Sequence, residues 1–198
     1  MNEIIRPIQN SSTLRERIFS LKEDNMGSAA VEFLFIAPII IALFAGMSDF
    51  GLYVLDTIQL GSALEAVNNY AIASTSSVNS AAGTSTAMNI GALASSQLGP
   101  NLDSGTIVVN NGPVASISHQ TIVSSGNAAG ADFCYCPTVS SGVVRWGGSV
   151  TCGSGCPDGG SAGKFVAVSL TIQTPNLFGL LGQGDGSKAS AFSISRVS

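Results

Sequence analysis

The sequence predicts an α+β fold: a long N-terminal transmembrane and amphipathic helix packed on a small antiparallel sheet, stapled by disulfides. Three observations carry this reading. Phe33 to Met47 is an apolar run without a charge, the stretches 164–174 and 189–197 alternate like strands, and four cysteines stand at 134, 136, 152 and 156. Composition agrees. Only 10% of the residues are charged, against about 25% in a typical soluble domain. Disordered chains combine low hydrophobicity with high net charge. Here 45% of residues are hydrophobic and the net charge is −4, so the 23 glycines belong to loops of a folded domain. An acidic balance without a basic stripe argues against nucleic-acid binding.

The first 27 residues are polar and hold Arg6, Arg15, Arg17 and Lys22, half of the eight basic residues. The apolar character that follows runs from Phe33 to Leu55, 23 residues if Ser48 and Asp49 are allowed. About 20 suffice to cross a bilayer. No Lys or Arg occurs between Lys22 and Arg145. The positive-inside rule therefore places the N-terminus in the cytoplasm and the C-terminal part outside. A secretory signal has an apolar core of about 7–15 residues with a small-x-small cleavage site after it. This run is longer, and no such site follows.

Its most unusual residue is Glu32, at the cytoplasmic mouth. A carboxylate at the bilayer centre costs about 3 kcal/mol or more, and less near an edge. Around it the chain reads Met26-Gly27-Ser28-Ala29-Ala30-Val31-Glu32-Phe33: Gly closes the polar leader, Glu follows at the fifth position and an aromatic at the sixth. On physical grounds alone, Glu32 either marks a hydrated interface or has a partner in an assembly.

This spacing resembles the processing site of prepilins, and in detail that of the Tad (tight adherence) system. GSAAVEFLFIAPIIIALFAG followed by Asp49-Phe50-Gly51 is similar to the N-terminal signature of TadE-like pseudopilins. The resemblance spans Gly27 to about Tyr53 and includes the later cysteine spacing. It implies a pilin-like fold and a cut between Gly27 and Ser28 by a separate membrane-embedded prepilin peptidase. Gly suits that bond because it allows extended backbone close to the peptidase. Ser28 would become the new N-terminus. Glu32, with Phe33 beside it, would then set register by pairing with the amine of a neighbouring subunit. A lone carboxylate in a bundle of apolar helices is unfavourable unless paired. The implied division is a leader at 1–27, an assembly helix at 28–55 and an extracytoplasmic domain at 56–198. The implied location is the bacterial inner membrane, then the pilus. The implied partners are the peptidase, the major pilin and minor pseudopilins, the inner-membrane assembly platform, and membrane lipid before assembly.

Within the helix, Pro38 removes one backbone hydrogen bond and favours a kink. Asp49 lies seventeen residues after Glu32, about 25 Å along a helix, where a hydrated, interfacial position is expected. Ile58, Leu60, Leu64, Val67, Ala71 and Ile72 recur at helical spacing, so the helix continues to about Ala73. The Ser-, Asn- and Gly-rich stretch Ser74–Thr84 reads as a loop, and Thr86–Leu98 as a second helix ended by Gly99-Pro100. Strands are expected at Thr106–Val109, around Val114 to Val123, at Lys164–Thr174 and at Ala189–Val197. In Lys164–Thr174 the buried set is Val166, Val168, Leu170, Ile172 and Thr174. In the last stretch Phe192, Ile194 and Arg196 share a face. These two stretches pair antiparallel through the connection Pro175–Lys188, which holds the apolar group Leu177–Leu181.

Cys134 and Cys136, then Cys152 and Cys156, form C-x-C and C-x3-C. Four thiolates suit structural zinc, but outside the cytoplasm disulfides form and persist. Two disulfides between the pairs are therefore favoured over a metal site, with connectivity open. No catalytic constellation, cofactor motif or other metal set is legible. His119, the one histidine, reads as a structural residue in a strand. Gly153–Gly163 lacks the order of a phosphate loop. Trp146, beside Arg145, is expected in the core. The chain thus reads as a structural, non-enzymatic subunit, a minor pilin or pseudopilin that starts, caps or joins a Tad-type adhesive pilus. The alternative is an uncleaved single-pass anchor that displays a binding or adhesin domain.

Overall fold

The computed structural model describes residues 26–175 and 187–198; the leader before Met26 and the Leu177–Leu181 group lie outside the described residues. Two compact units divide the chain, Met1–Gly46 and Met47–Ser198. Helix α1 runs from Met26 to Ala73 with Pro38 inside it. A 3₁₀ turn at Thr75–Ser77 and helix α2, Gly83–Leu98, follow. The strands are β1 Leu102–Val109, β2 Pro113–Ser118, β3 Thr121–Gly126, β4 Thr138–Ser140, β5 Val143–Arg145, β6 Phe165–Thr174 and β7 Ser187–Arg196. The main sheet has the order β3-β2-β1-β6-β7, antiparallel throughout, and β4-β5 is a separate hairpin. The α+β expectation is met.

In the first unit, α1 shows apolar side chains to solvent: Phe33, Leu34, Phe35, Ile39, Ile41 and Leu43 are all exposed. α1 contains the one described helix long and apolar enough to cross a membrane, from Val31 onward. Apolar side chains on all sides of a helix need apolar surroundings.

In the second unit the same helix turns amphipathic. Leu60, Ala63, Val67 and Ala71 are buried at spacings of three and four, the repeat of one helix face. The stripe is narrower than the sequence suggests, since Ile58 and Ile72 are exposed. In α2 the buried residues Gly83, Thr86, Ala87, Ile90, Gly91, Ala94 and Leu98 form an equally regular face. This helix begins three residues earlier than expected. Asn79 explains the early start: its Oδ1 accepts from the N–H groups of Ala81 and Ala82 at 3.0 and 2.9 Å. Such local bonds satisfy amides that a helix start leaves open. At the other end Gly99 takes φ +54°, which stops the helix before Pro100.

Both helical faces join one core with the same face of the sheet, including Ile107, Val109, Ala115, Ile117, Val166, Val168, Leu170 and Ile172. The alternation predicted for β6 is observed, with Val166, Val168, Leu170, Ile172 and Thr174 buried. β7 turns Ala189, Ala191 and Ser193 to this face. Phe192 and Ile194 stand opposite, half-buried, register-paired with Ser169 and Ala167.

Turn chemistry sets the hairpins. Asn110 and Asn111 both take positive φ, 50° and 54°, and the Gly112 N–H donates to Val109 O at 3.0 Å, linking β1 to β2. His119 and Gln120, φ 44° and 68°, do the same between β2 and β3. Two consecutive positive φ values match the two-residue turns that suit strand twist. His119 is therefore an exposed turn residue, not a strand residue.

Candidate processing and assembly segment

Gly27 and Ser28 lie on α1, next to the start of the described residues. An interior Gly lowers helix stability by about 1 kcal/mol relative to Ala. Glu32 follows as an exposed side chain, with Phe33 66% exposed next to it. Among the described residues Glu32 has no ion pair.

Two acidic residues of α1 in the second unit are buried. Asp49 is 1% exposed, which corrects the expected hydrated position. Asp56 is 9% exposed; its Oδ1 accepts a long bond of 3.5 Å from Asn101 Nδ2, and its Oδ2 has no partner among the described residues. They stand seven residues apart, two turns, on one side of the helix. Sequence reading passed over Asp56, because a charge between apolar repeats looks solvated.

The four cysteines form two disulfides, Cys134–Cys152 and Cys136–Cys156. The extended backbone there explains how both bonds form side by side. Val150 N donates to Cys134 O at 2.9 Å, and Tyr135 exchanges two bonds with Gly163, of 2.9 and 3.2 Å. Residues i and i+2 of an extended segment share a side, so C-x-C offers both sulfurs together. Tyr135, between them, is buried and donates its hydroxyl to Gly130 O at 3.1 Å.

Trp146 is half-buried, not in the core. It meets Tyr135 edge-on, with ring centroids 6.0 Å apart and an angle of 76°. The outer face of the sheet explains the position. Trp146 and the β4-β5 hairpin lie over Thr106, Val108, Ala167, Ser169 and Phe192.

A residue that the sequence reading missed anchors this region. Asn110 is fully buried; its Nδ2 donates to Ala131 O and Phe133 O at 3.0 and 2.6 Å, and its Oδ1 accepts from Phe165 N at 3.2 Å. Its signal was Asn-Asn-Gly, a turn motif, which does not reveal what the first Asn binds. No group of three or more His, Cys, Asp or Glu among the described residues is placed to hold a metal ion.

Neither a curated protein nor a solved structure matches the chain. Residues 27–67 match the family model described as TadE-like protein. That segment, which holds Gly27, Ser28, Glu32 and Phe33, is what the chain shares with TadE-like proteins.

Proposed function

We propose that this chain is a minor pilin or pseudopilin of a Tad-type pilus, cut between Gly27 and Ser28 and assembled through its apolar helix. The TadE-like match over residues 27–67 supports a pilus-associated membrane protein of structural type. Other pilin subunits and the assembly machinery follow as the partner class. The observation that carries the finer reading is the change of character along α1. The helix exposes apolar side chains around Phe33 to Leu43, then from Leu60 onward buries one face in a folded domain. Such a helix serves first as an anchor in lipid and then as a bundling surface, while the domain remains in water.

In this reading residues 1–27 are the leader, 28–55 the assembly helix and 56–198 the displayed domain. The N-terminus faces the cytoplasm and the domain lies outside. Removing the leader frees the amine of Ser28, and Glu32 of an adjacent subunit takes it. The pair sets register more than it adds stability, because desolvation of two charges offsets most of their attraction.

The test is fractionation. Cells with and without the prepilin peptidase are sheared, and the chain is quantified in filaments and membranes. The proposal expects it in filaments only with the peptidase, and expects Glu32→Ala to leave it in the membrane though cut. Equal recovery from both strains, with the chain always in membranes, would favour the uncleaved anchor.

A further inference from the structure

The disulfide-closed loop borders an open cleft that the pilin reading does not use. Its volume is about 570 Å³, and its walls include Thr138, Trp146, Asp158, Ser161, Phe165 and Arg196. That lies within the roughly 300–1,000 Å³ of small-molecule sites. We propose that it is a binding site for a neutral saccharide, with Trp146 as the stacking wall and Asp158 and Arg196 as the hydroxyl-reading groups. The proposal does not rest on cleavage or filament assembly.

Three features carry it. The first is a fixed aromatic wall. Trp146 is held by its edge contact with Tyr135, which is itself buried, hydrogen-bonded and flanked by the two disulfides. The C–H face of a pyranose ring packs on such a surface, much as other apolar faces do on Trp. Phe165 adds further apolar wall.

The second is a fixed cation with donors to spare. Arg196 Nε donates to Ser198 O at 3.0 Å and Nη1 to Ser161 Oγ at 2.7 Å. These two bonds set the guanidinium plane. Nη2 has no partner among the described residues. A guanidinium has five N–H donors, so most of its capacity is open to a ligand.

The third is the charge balance. Asp158 also lines the cavity, and it pairs with neither Arg196 nor any other cation among the described residues. One unpaired anion and one unpaired cation in a single cavity disfavour a strongly charged ligand of either sign. A sugar suits both, since one hydroxyl donates to the carboxylate while another accepts from the guanidinium. A zwitterion such as a free amino acid matches the charges but has no broad C–H face for Trp146. The cavity is built before any ligand arrives, because the Cys136–Cys156 bond is part of its wall. A rigid site loses less entropy on binding.

The experiment uses the one tryptophan of the chain. Full-length protein in detergent micelles is titrated with glucose, galactose, mannose, N-acetylglucosamine and their β-linked disaccharides, and with glycine and glutamate. Trp146 fluorescence is the readout. A saturable change is expected for at least one saccharide, with Kd of about 1 mM or tighter. Asp158→Asn removes a side chain with no partner in the fold, so it should weaken that saccharide by about tenfold without changing thermal unfolding. Arg196→Lys should weaken it similarly. No saturable change with any saccharide, saturation by the amino acids alone, or unaltered sugar binding by D158N would each overturn the proposal.

Discussion

Asn68, on the long helix, donates its Nδ2 to Ser193 Oγ on the last strand at 2.7 Å. Its Oδ1 accepts from Ser195 Oγ at 3.0 Å, so one amide ties the helix to two successive core-face residues of β7. The sheet-facing side of α1 is otherwise apolar nearby, with Leu60, Ala63, Val67 and Ala71. An apolar stripe holds a helix against a sheet but permits sliding by a turn. A paired amide penalises such a slide, because the displaced polar groups are left unsatisfied.

Replacing Asn68 with Ala should therefore cost about 1–3 kcal/mol of stability. Urea unfolding of the full chain in detergent checks this. If the loss comes from the two bonds, a Ser193→Ala, Ser195→Ala background should make Asn68→Ala nearly neutral, a coupling that a double-mutant cycle measures.

Asn110 combines a left-handed backbone, φ 50°, with three side-chain bonds in a fully buried site. Asn110→Ala should cost about 3 kcal/mol or more, since the Ala131 and Phe133 carbonyls and the Phe165 amide lose their partner. Asn110→Gly relieves the backbone but not the bonds. It should recover no more than about 1 kcal/mol of that loss. Full recovery by Gly would show that the backbone, not the amide, needs this residue.

Each disulfide closes a short loop, with sequence separations of 18 and 20. Chain-entropy reasoning gives about 3 kcal/mol for a loop of this size. Serine in place of Cys134 and Cys152 together should lower the thermal midpoint of the outer domain by several degrees. Iodoacetamide should add no mass to the unreduced chain, because none of the cysteines is free. Zinc coordination would instead give alkylation after chelation without reduction.

Asp103 on β1 takes a bond from Lys188 Nζ on β7 at 3.0 Å, and His119 Nε2 stands 3.8 Å away. The Lys188 bond, then its charge and that of His119, hold the Asp103 carboxyl below its usual 3.8, against an opposing effect of burial. A depressed carboxylate adds stability above its unfolded value and loses it as pH falls through the folded value. Wild-type stability should therefore fall on acidification below about pH 4 more steeply than that of Asp103→Asn. Urea midpoints measured across that range check the difference.

How much of this was legible depends on the kind of signal. The apolar run at Phe33, the alternation of Val166 to Thr174 and the helix end at Ala73 all arise from periodicity, which residues announce individually. The Gly27–Phe33 spacing falls within the segment that matches the TadE-like model, because four residues in fixed order make a pattern that a sequence displays directly. Trp146 was misplaced because size and hydrophobicity argue for a core, whereas here the core face of the sheet is filled by α1 and α2. Its place on the outer face follows from the cysteine pairing, which four positions alone leave open. Asp49 is expected to be hydrated and Asp56 gives no signal, because burial of a charge depends on tertiary neighbours. Asn68 and Asn110 give no local sign of partners that are 125 and 55 residues away.

Intact mass and N-terminal sequencing read the proposed cut after Gly27. The chain is isolated from cells that hold the cognate peptidase and from cells that lack it. The expected outcome is a product that begins at Ser28 in the first and the uncut chain in the second, with Gly27→Leu blocking the cut. A chain that keeps its leader in both would rule out processing and leave Glu32 without the amine proposed to pair with it.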